Sequence, residues 1–267
     1  MGPRDSRTLL GALGRHAVHP FPARMAPEIV CSFLDRAKTP MRVFDPMMGS
    51  GTVIALAQSR KHRAVGIDID PLAALTARVW TCPIEPNSVR HSGQNVLKRA
   101  RLVVREMETA EGYPRNADGS TKEFITYWFD GRARLQLAAL SRSISRVRDK
   151  TARDVLWCAF SRLIICKKGA SRALDLVHSR PHRVFSKAPL LPFSGFLQSV
   201  EWVLASVPVR HDRRNGPRAH VRLGDARKVK LRSNSVDLVV ASPPYVNAID
   251  YFRCSKIFTG LDGLYHS

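Results

Sequence analysis

A chain of 267 residues with 43 Lys+Arg against 22 Asp+Glu carries a formal net charge of +21. Hydrophobic residues make up 44% of it, enough for a globular core and too many for a disordered polyelectrolyte. The charge excess exceeds what solubility needs and points to a polyanionic partner. No 18-residue apolar run and no N-terminal apolar signal core are present, so the expectation is a cytoplasmic protein without membrane association. The five cysteines, Cys31, Cys82, Cys158, Cys166 and Cys254, show no CxxC spacing and read as reduced, buried thiols; no metal site is expected.

In chain order, residues 1–15 are basic with a short apolar patch at Leu9, Leu10 and Leu13, and read as loosely held. His19 to Pro27 carries three prolines and reads as an extended loop. Pro27 suits the first turn of a helix, and Ile29, Val30, Phe33 and Leu34 follow at helical spacing. A strand then runs through Val43 and Phe44 into Asp45. Gly49 and Gly51 form a turn, Thr52 opens an apolar helix, and a second strand ends at Asp68, 17 residues beyond Gly51. Strand, glycine turn, helix, strand and acid follow the βαβ logic of a nucleotide-type cofactor site. The glycines let backbone approach the ligand, and the acid accepts from ribose hydroxyls.

After Asp70-Pro71 the pattern predicts a helix through Leu72, Leu75 and Val79, broken by Thr81 to Pro86. Residues 95–111 read as a charged helix, and Tyr113 to Lys122 as a loop. From Tyr127 to about Val209, apolar residues recur at three- and four-residue steps, as in Leu137, Leu140, Ile144 and Val147. This predicts a helical insertion between the second and third strands. Its polar positions are heavily basic: Arg132, Arg134, Arg142, Arg146, Arg148, Lys150, Arg153, Lys167, Lys168 and Arg172. A basic loop with Arg180 and Arg183 follows. Acids are scarce there, so Arg142, Arg146, Lys150, Lys167, Lys168, Arg180 and Arg183 are the candidate nucleic-acid contacts, through phosphates.

His220 to Leu223 reads as the third strand, followed by Gly224-Asp225. Leu238 to Ala241 reads as a buried, parallel fourth strand that stops at Ser242-Pro243-Pro244-Tyr245. Two prolines cannot continue a ladder and fix a stiff loop at the strand's carboxyl end, where open α/β sheets bind ligands.

Together, Asp45-Pro46-Met47-Met48-Gly49-Ser50-Gly51-Thr52 and Ser242-Pro243-Pro244-Tyr245 resemble two motifs of the S-adenosylmethionine-dependent DNA amino-methyltransferases. These are the cofactor loop, usually written DPFxGSGT, and the catalytic loop. His19 to Arg24 resembles the segment that closes over the methionine end of the cofactor in that family. The resemblance covers roughly residues 16–80 and 218–252. It implies a Rossmann-like α/β sheet, S-adenosylmethionine as cofactor and DNA as substrate, with a cognate restriction endonuclease as possible companion. Phe21, Pro22, Asp45, Pro46, Gly49, Ser50, Gly51, Thr52, Asp68, Ile69 and Asp225 would hold the cofactor. Ser242, Pro243, Pro244 and Tyr245 would be catalytic, with Tyr245 stacking on a flipped base. Ser in place of Asp favours cytosine N4 over adenine N6, and a C5 mechanism lacks its cysteine here. An RNA base methyltransferase of the same fold and an inactive nucleic-acid-binding remnant are the alternatives.

The expected organisation is a first core segment at residues 1–95, a basic helical insertion at 96–217, and a second core segment at 218–267. The family's sheet has more strands than the four readable here, and the tail after Tyr245 has no clear period. The expectation is therefore a truncated core, or one completed by a second chain or dimer mate.

Overall fold

The computed structural model describes residues 6–21, 24–108, 112–114, 117–174, 182–210 and 216–243. Their contacts divide them into two compact units. The first holds the residues up to Glu85 and those from Leu204 onward; the second is Pro86–Val203. The sequence pattern puts the corresponding cuts at 95/96 and 217/218. Ile84 and Val209 form a parallel bridge, so the chain leaves and re-enters the first unit at neighbouring points.

The first unit is α/β, with a Rossmann-like parallel sheet. Its strands are β1 (Arg42–Asp45), β2 (Arg63–Asp68), β3 (His220–Leu223) and β4 (Leu238–Val239). They lie in the order β3-β2-β1-β4, with every neighbouring pair parallel. The chain steps outward from β1 through β2 to β3, then returns to the other side of β1. The reversal lies between β1 and β4, which makes that crevice the switch point where such sheets bind ligands. Arg42 and Asp237 clasp the two strands at their opposite, amino ends. The Arg42 amide and guanidinium donate to the Asp237 carboxylate at 2.8 and 2.7 Å, and the Asp237 amide donates back to the Arg42 carbonyl at 2.9 Å.

Three helices precede or connect these strands: α1 (Leu9–Leu13), α2 (Pro27–Leu34) and α3 (Thr52–Ser59); α4 (Pro71–Thr81) follows β2. Residues 6–15 are better held than their composition implies. Thr8 caps α1, Ala12 is fully buried, and the indole of Trp80 donates to the carbonyl of His16. The core joins Val30 and Leu34 of α2, Val43 of β1, Val53, Ile54 and Leu56 of α3, and Ala74 and Ala77 of α4. Burying a side chain such as Ile54 contributes roughly 1.5–3 kcal/mol.

β4 is parallel but not buried: Val239 is 58% exposed. Among the described residues β1 is its one strand partner. Residues 244–267, where the expected incomplete tail falls, lie outside the described residues.

The second unit is helical among its described residues. Its helices are α5 (Pro86–Val103), α6 (Gly119–Trp128), α7 (Gly131–Ile144), α8 (Lys150–Ile165) and most of α9 (Pro192–Ala205). Two boundaries differ from the sequence pattern. The helix placed at 95–111 instead starts at Pro86, because Val89, Gly93, Val96, Leu97 and Ala100 form one buried stripe. Turn-forming Asn87, Ser88 and Ser92 mask that stripe in the sequence. The loop placed at 113–122 ends earlier, because the Asp118 carboxylate caps α6 by accepting from the Thr121 amide at 2.7 Å. Gly93 allows close approach: a Cβ there would stand 3.4 Å from Leu156 of α8 and 3.5 Å from Leu197 of α9.

No helix among the described residues is long and apolar enough to cross a membrane. Cys31, Cys82, Cys158 and Cys166 are free thiols; Cys82 and Cys166 are only half-buried, and burial pushes Cys158 up to about 12. No cluster of metal-ligating side chains occurs among the described residues.

Candidate active site and basic surface

The site is built on the turn between β1 and α3. Asp45 ends β1, is 2% exposed, and accepts the Met47 amide at 3.1 Å, which starts the turn. The Met48 amide donates to the Ile67 carbonyl at 3.0 Å, pinning the turn to β2. Gly49 and Gly51 both have left-handed backbones, at φ 50° and 87°. The Gly49 amide donates to the Asp68 carboxylate at 2.8 Å, and the Asp70 amide donates to its other oxygen at 2.9 Å. Gly51 also touches α4: a Cβ there would stand 2.8 Å from that of Ala77. Ser50 and Thr52 are buried where α3 begins, and the free amides of a helix first turn favour electron-rich ligand groups.

The loop before α2 lies over this turn. A Cβ on Gly49 would stand 3.4 Å from the ring of Phe21. The His19 carbonyl holds the loop by accepting from the Phe21 amide at 2.9 Å and from the Arg24 guanidinium at 3.0 Å. His19 is itself buried. Pro22 lies outside the described residues.

The remaining elements converge on the same edge. The Gly224 amide donates to the Asp68 carbonyl at 2.8 Å, bringing Asp225 beside the end of β2. Ile69, next to Asp68, is 64% exposed. On the other side of β1, Phe44 is in register with Val239, and the Val240 amide donates to the Phe44 carbonyl at 3.1 Å. Ser242 and Pro243 therefore follow just past the switch point, Ser242 half-buried and Pro243 exposed. Pro244 and Tyr245 lie outside the described residues.

The carboxylates differ in their electrostatics. Burial pushes Asp45 up to about 7, helped by the charge of Asp68 and opposed by the Met47 amide. The Arg227 side chain holds Asp225 down at about 2 through hydrogen bonds of 2.7 to 3.1 Å, and the Arg227 amide adds another. The role expected of Asp225 therefore has a competitor that the sequence pattern did not flag. Its signal is a cation two residues after the acid, in Asp225-Ala-Arg227.

The basic positions of the second unit differ in exposure and in partners. Arg134 is buried, with its guanidinium 4.3 Å from the centroid of the Tyr113 ring, so it is a packing residue and not a phosphate contact. Arg153 turns back to donate to the Val147 carbonyl at 3.1 Å. Arg142 is half-buried, Arg146 and Lys150 are exposed, and Lys150 pairs with Asp154 at 3.4 Å. Lys167 and Lys168 are exposed just past the other end of α8. At 1.5 Å per residue, the 16 residues of α8 separate the two groups by about 24 Å. Arg183 is exposed beside Tyr127; Arg180 lies outside the described residues.

Fold and site together define a Rossmann-like α/β protein with acids and a glycine turn at the carboxyl edge of its sheet. Over 155 residues the chain is 24% identical to the Type II methyltransferase M.MvaI of Kocuria varians, a match covering 56% of this chain and 33% of that protein. Over 65 residues it is 35% identical to the Type II methyltransferase M.MjaII of Methanocaldococcus jannaschii, covering 24% of this chain and 12% of that protein. The matched region is thus a third or less of either relative's length. No protein-family profile and no solved structure matches the chain.

Proposed function

We propose that this chain is the catalytic part of an S-adenosylmethionine-dependent DNA methyltransferase that modifies an exocyclic base amine, with cytosine N4 preferred. The observation carrying this reading is the arrangement of Asp45, the Gly49–Gly51 turn, Asp68 and Ser242 around one switch point. Likeness to two Type II methyltransferases supports it.

The residues present fit the cofactor chemically. Each Asp68 oxygen accepts one amide, leaving lone pairs for ribose hydroxyls, and exposed Ile69 offers an apolar face to an adenine. Gly49, Ser50, Gly51 and Thr52 provide close backbone approach, with Asp45 and Pro46 at its start and Phe21 over it. S-adenosylmethionine supplies an activated methyl sulfonium when bound. An exocyclic amine is a weak nucleophile because its lone pair is delocalised into the ring. The protein must therefore hold the amine in line and accept its hydrogens, and the Ser242 hydroxyl and the Pro243 carbonyl have that capacity. Tyr245 would stack on the flipped base. Positioning and electrostatics then supply most of the acceleration.

The test is transfer of labelled methyl to mixed-sequence DNA and to RNA, followed by mass spectrometry of the nucleosides. The expected product is N4-methylcytosine in DNA, lost in Ser242→Ala. N6-methyladenine alone would refute the base assignment, and label in RNA alone would refute the substrate.

A further inference from the structure

A second feature of the helical unit is not used by the methyl-transfer site. At the end of α8, three short connections gather one exposed surface. The Lys168 amide donates to the Leu174 carbonyl at 3.0 Å, Ala173 and Arg183 form an antiparallel bridge, and the Arg172 amide donates to the Trp128 carbonyl at 2.8 Å. These contacts bring the end of α6 beside the segments around Leu174 and Arg183. Tyr127 is 48% exposed, although its ring meets that of Trp128 edge-on at 4.8 Å, which fixes its orientation. The Arg183 guanidinium lies 5.4 Å from the Tyr127 ring centroid. Leu174 and Val184 are 45% and 58% exposed.

Large apolar side chains left in water amid exposed cations require an explanation. A purely solvated basic face would carry neither the aromatic nor the two aliphatic side chains. Among the described residues around this surface the acids are exposed Glu123, one turn before Tyr127, and half-buried Asp130. Against them stand the exposed cations Lys167, Lys168 and Arg183, a balance that favours an anionic partner over an ordinary protein one. A nucleic acid offers both complements at once. Its phosphates match Lys167, Lys168 and Arg183, and its base edges and thymine methyls match an oriented ring and two aliphatic side chains.

We infer that Tyr127, Leu174 and Val184, ringed by Lys167, Lys168 and Arg183, form a base-contacting element that touches the DNA substrate. The inference rests on the proposed DNA methyltransferase function and adds the element that meets bases apart from the one being modified. Rigid backing matters for such a role, and buried Trp128 supplies it.

The experiment is fluorescence anisotropy of the full chain with a labelled mixed-sequence duplex, from about 50 to 200 mM salt. Tyr127→Ala is expected to weaken duplex binding at least about fivefold, through loss of contacts with base edges and thymine methyls in a groove, with an unchanged salt slope. Tyr127→Phe is expected to bind like wild type, which separates loss of the ring from loss of the fold. Lys167→Gln with Lys168→Gln is expected to flatten the slope by about 0.9 for each phosphate no longer neutralised. Wild-type affinity and slope in the Ala and Gln variants would overturn the inference. So would wild-type protein that binds anionic vesicles or acidic peptides but no duplex. Calorimetry with S-adenosylmethionine and methyl transfer by the wild type report on the parent reading separately. A methylating enzyme indifferent to Tyr127 would keep that reading and discard this one.

Discussion

The Gly49 amide donates to the Asp68 carboxylate across 2.8 Å, so the acid at the end of β2 holds the glycine turn at the end of β1. Asp68 thus has two tasks, shaping the turn and offering acceptors to a ligand. Asp68→Ala is expected to lose both. Losing hydrogen bonds to a charged acceptor costs roughly 1.5–3 kcal/mol, or about ten- to a hundredfold in dissociation constant for S-adenosylmethionine. Calorimetry of wild type and variant reads this directly, and equal affinities would remove Asp68 from the cofactor site.

The two glycines of the turn are expected to respond unequally to alanine. At Gly51 the new methyl group meets Ala77 at 2.8 Å and the left-handed backbone is strained. At Gly49 only the backbone strain and a 3.4 Å contact with the Phe21 ring apply. Gly49→Ala should cost about 1–2 kcal/mol, and Gly51→Ala about 1–3 kcal/mol more. Urea unfolding of the two variants gives the order, and a reversed order would show that α4 does not bear on the turn as described.

Asp45 predicts a pH dependence of opposite sign to the usual carboxylate. Its folded-state value, about 7, lies above its unfolded value near 4, so the native state binds more protons between them. The stability it contributes is full below pH ~4 and is lost as pH rises through about 7. Asp45→Asn keeps an acceptor for the Met47 amide and removes the titration. The variant should gain on wild type by on the order of 4 kcal/mol between pH ~4 and pH ~8. A difference in unfolding free energy that stays flat across this range would contradict the buried carboxylate.

Arg134 and Arg146 separate packing from binding. Arg134→Ala removes a buried side chain stacked on Tyr113 and should destabilise the protein by roughly 1–3 kcal/mol, leaving the salt slope of DNA binding unchanged. Arg146→Ala should stay within about 0.5 kcal/mol of wild type in stability and, if it meets a phosphate, flatten the slope by about 0.9. Thermal melts and anisotropy titrations on the same preparations check both.

The βαβ part of the fold was legible because local chemistry writes it. Pro27, the Gly49–Gly51 turn, Asp70-Pro71 and the apolar runs at Val43 and Val65 mark ends and faces within a few residues of each other. The second unit was legible as helical, but not in its limits. Pro86 opens a helix whose first turn is polar, and only its packing shows that Val89 and Gly93 belong to the same stripe as Ala100. Charge was the least legible property. Arg134 and Arg146 look alike in sequence, and burial against Tyr113 versus exposure is a tertiary fact. Asp225 was found as an acid at a strand end; its capture by Arg227 depends on the turn that follows β3.

The clasp between Arg42 and Asp237 joins residues 195 apart in the chain. Loop closure over such a span must be met before the contact returns anything, so β1 waits for β4 during synthesis. At about 5–20 residues per second, that wait is roughly 10–40 seconds on the ribosome. Over that interval the glycine turn can be made while the crevice beside it has one wall. The described residues of the helical unit, Pro86–Val203, emerge before β4 and have time to fold first. Ser242 therefore joins its site as a late arrival, and pausing the ribosome between residues 203 and 237 should lengthen the interval without changing the final structure.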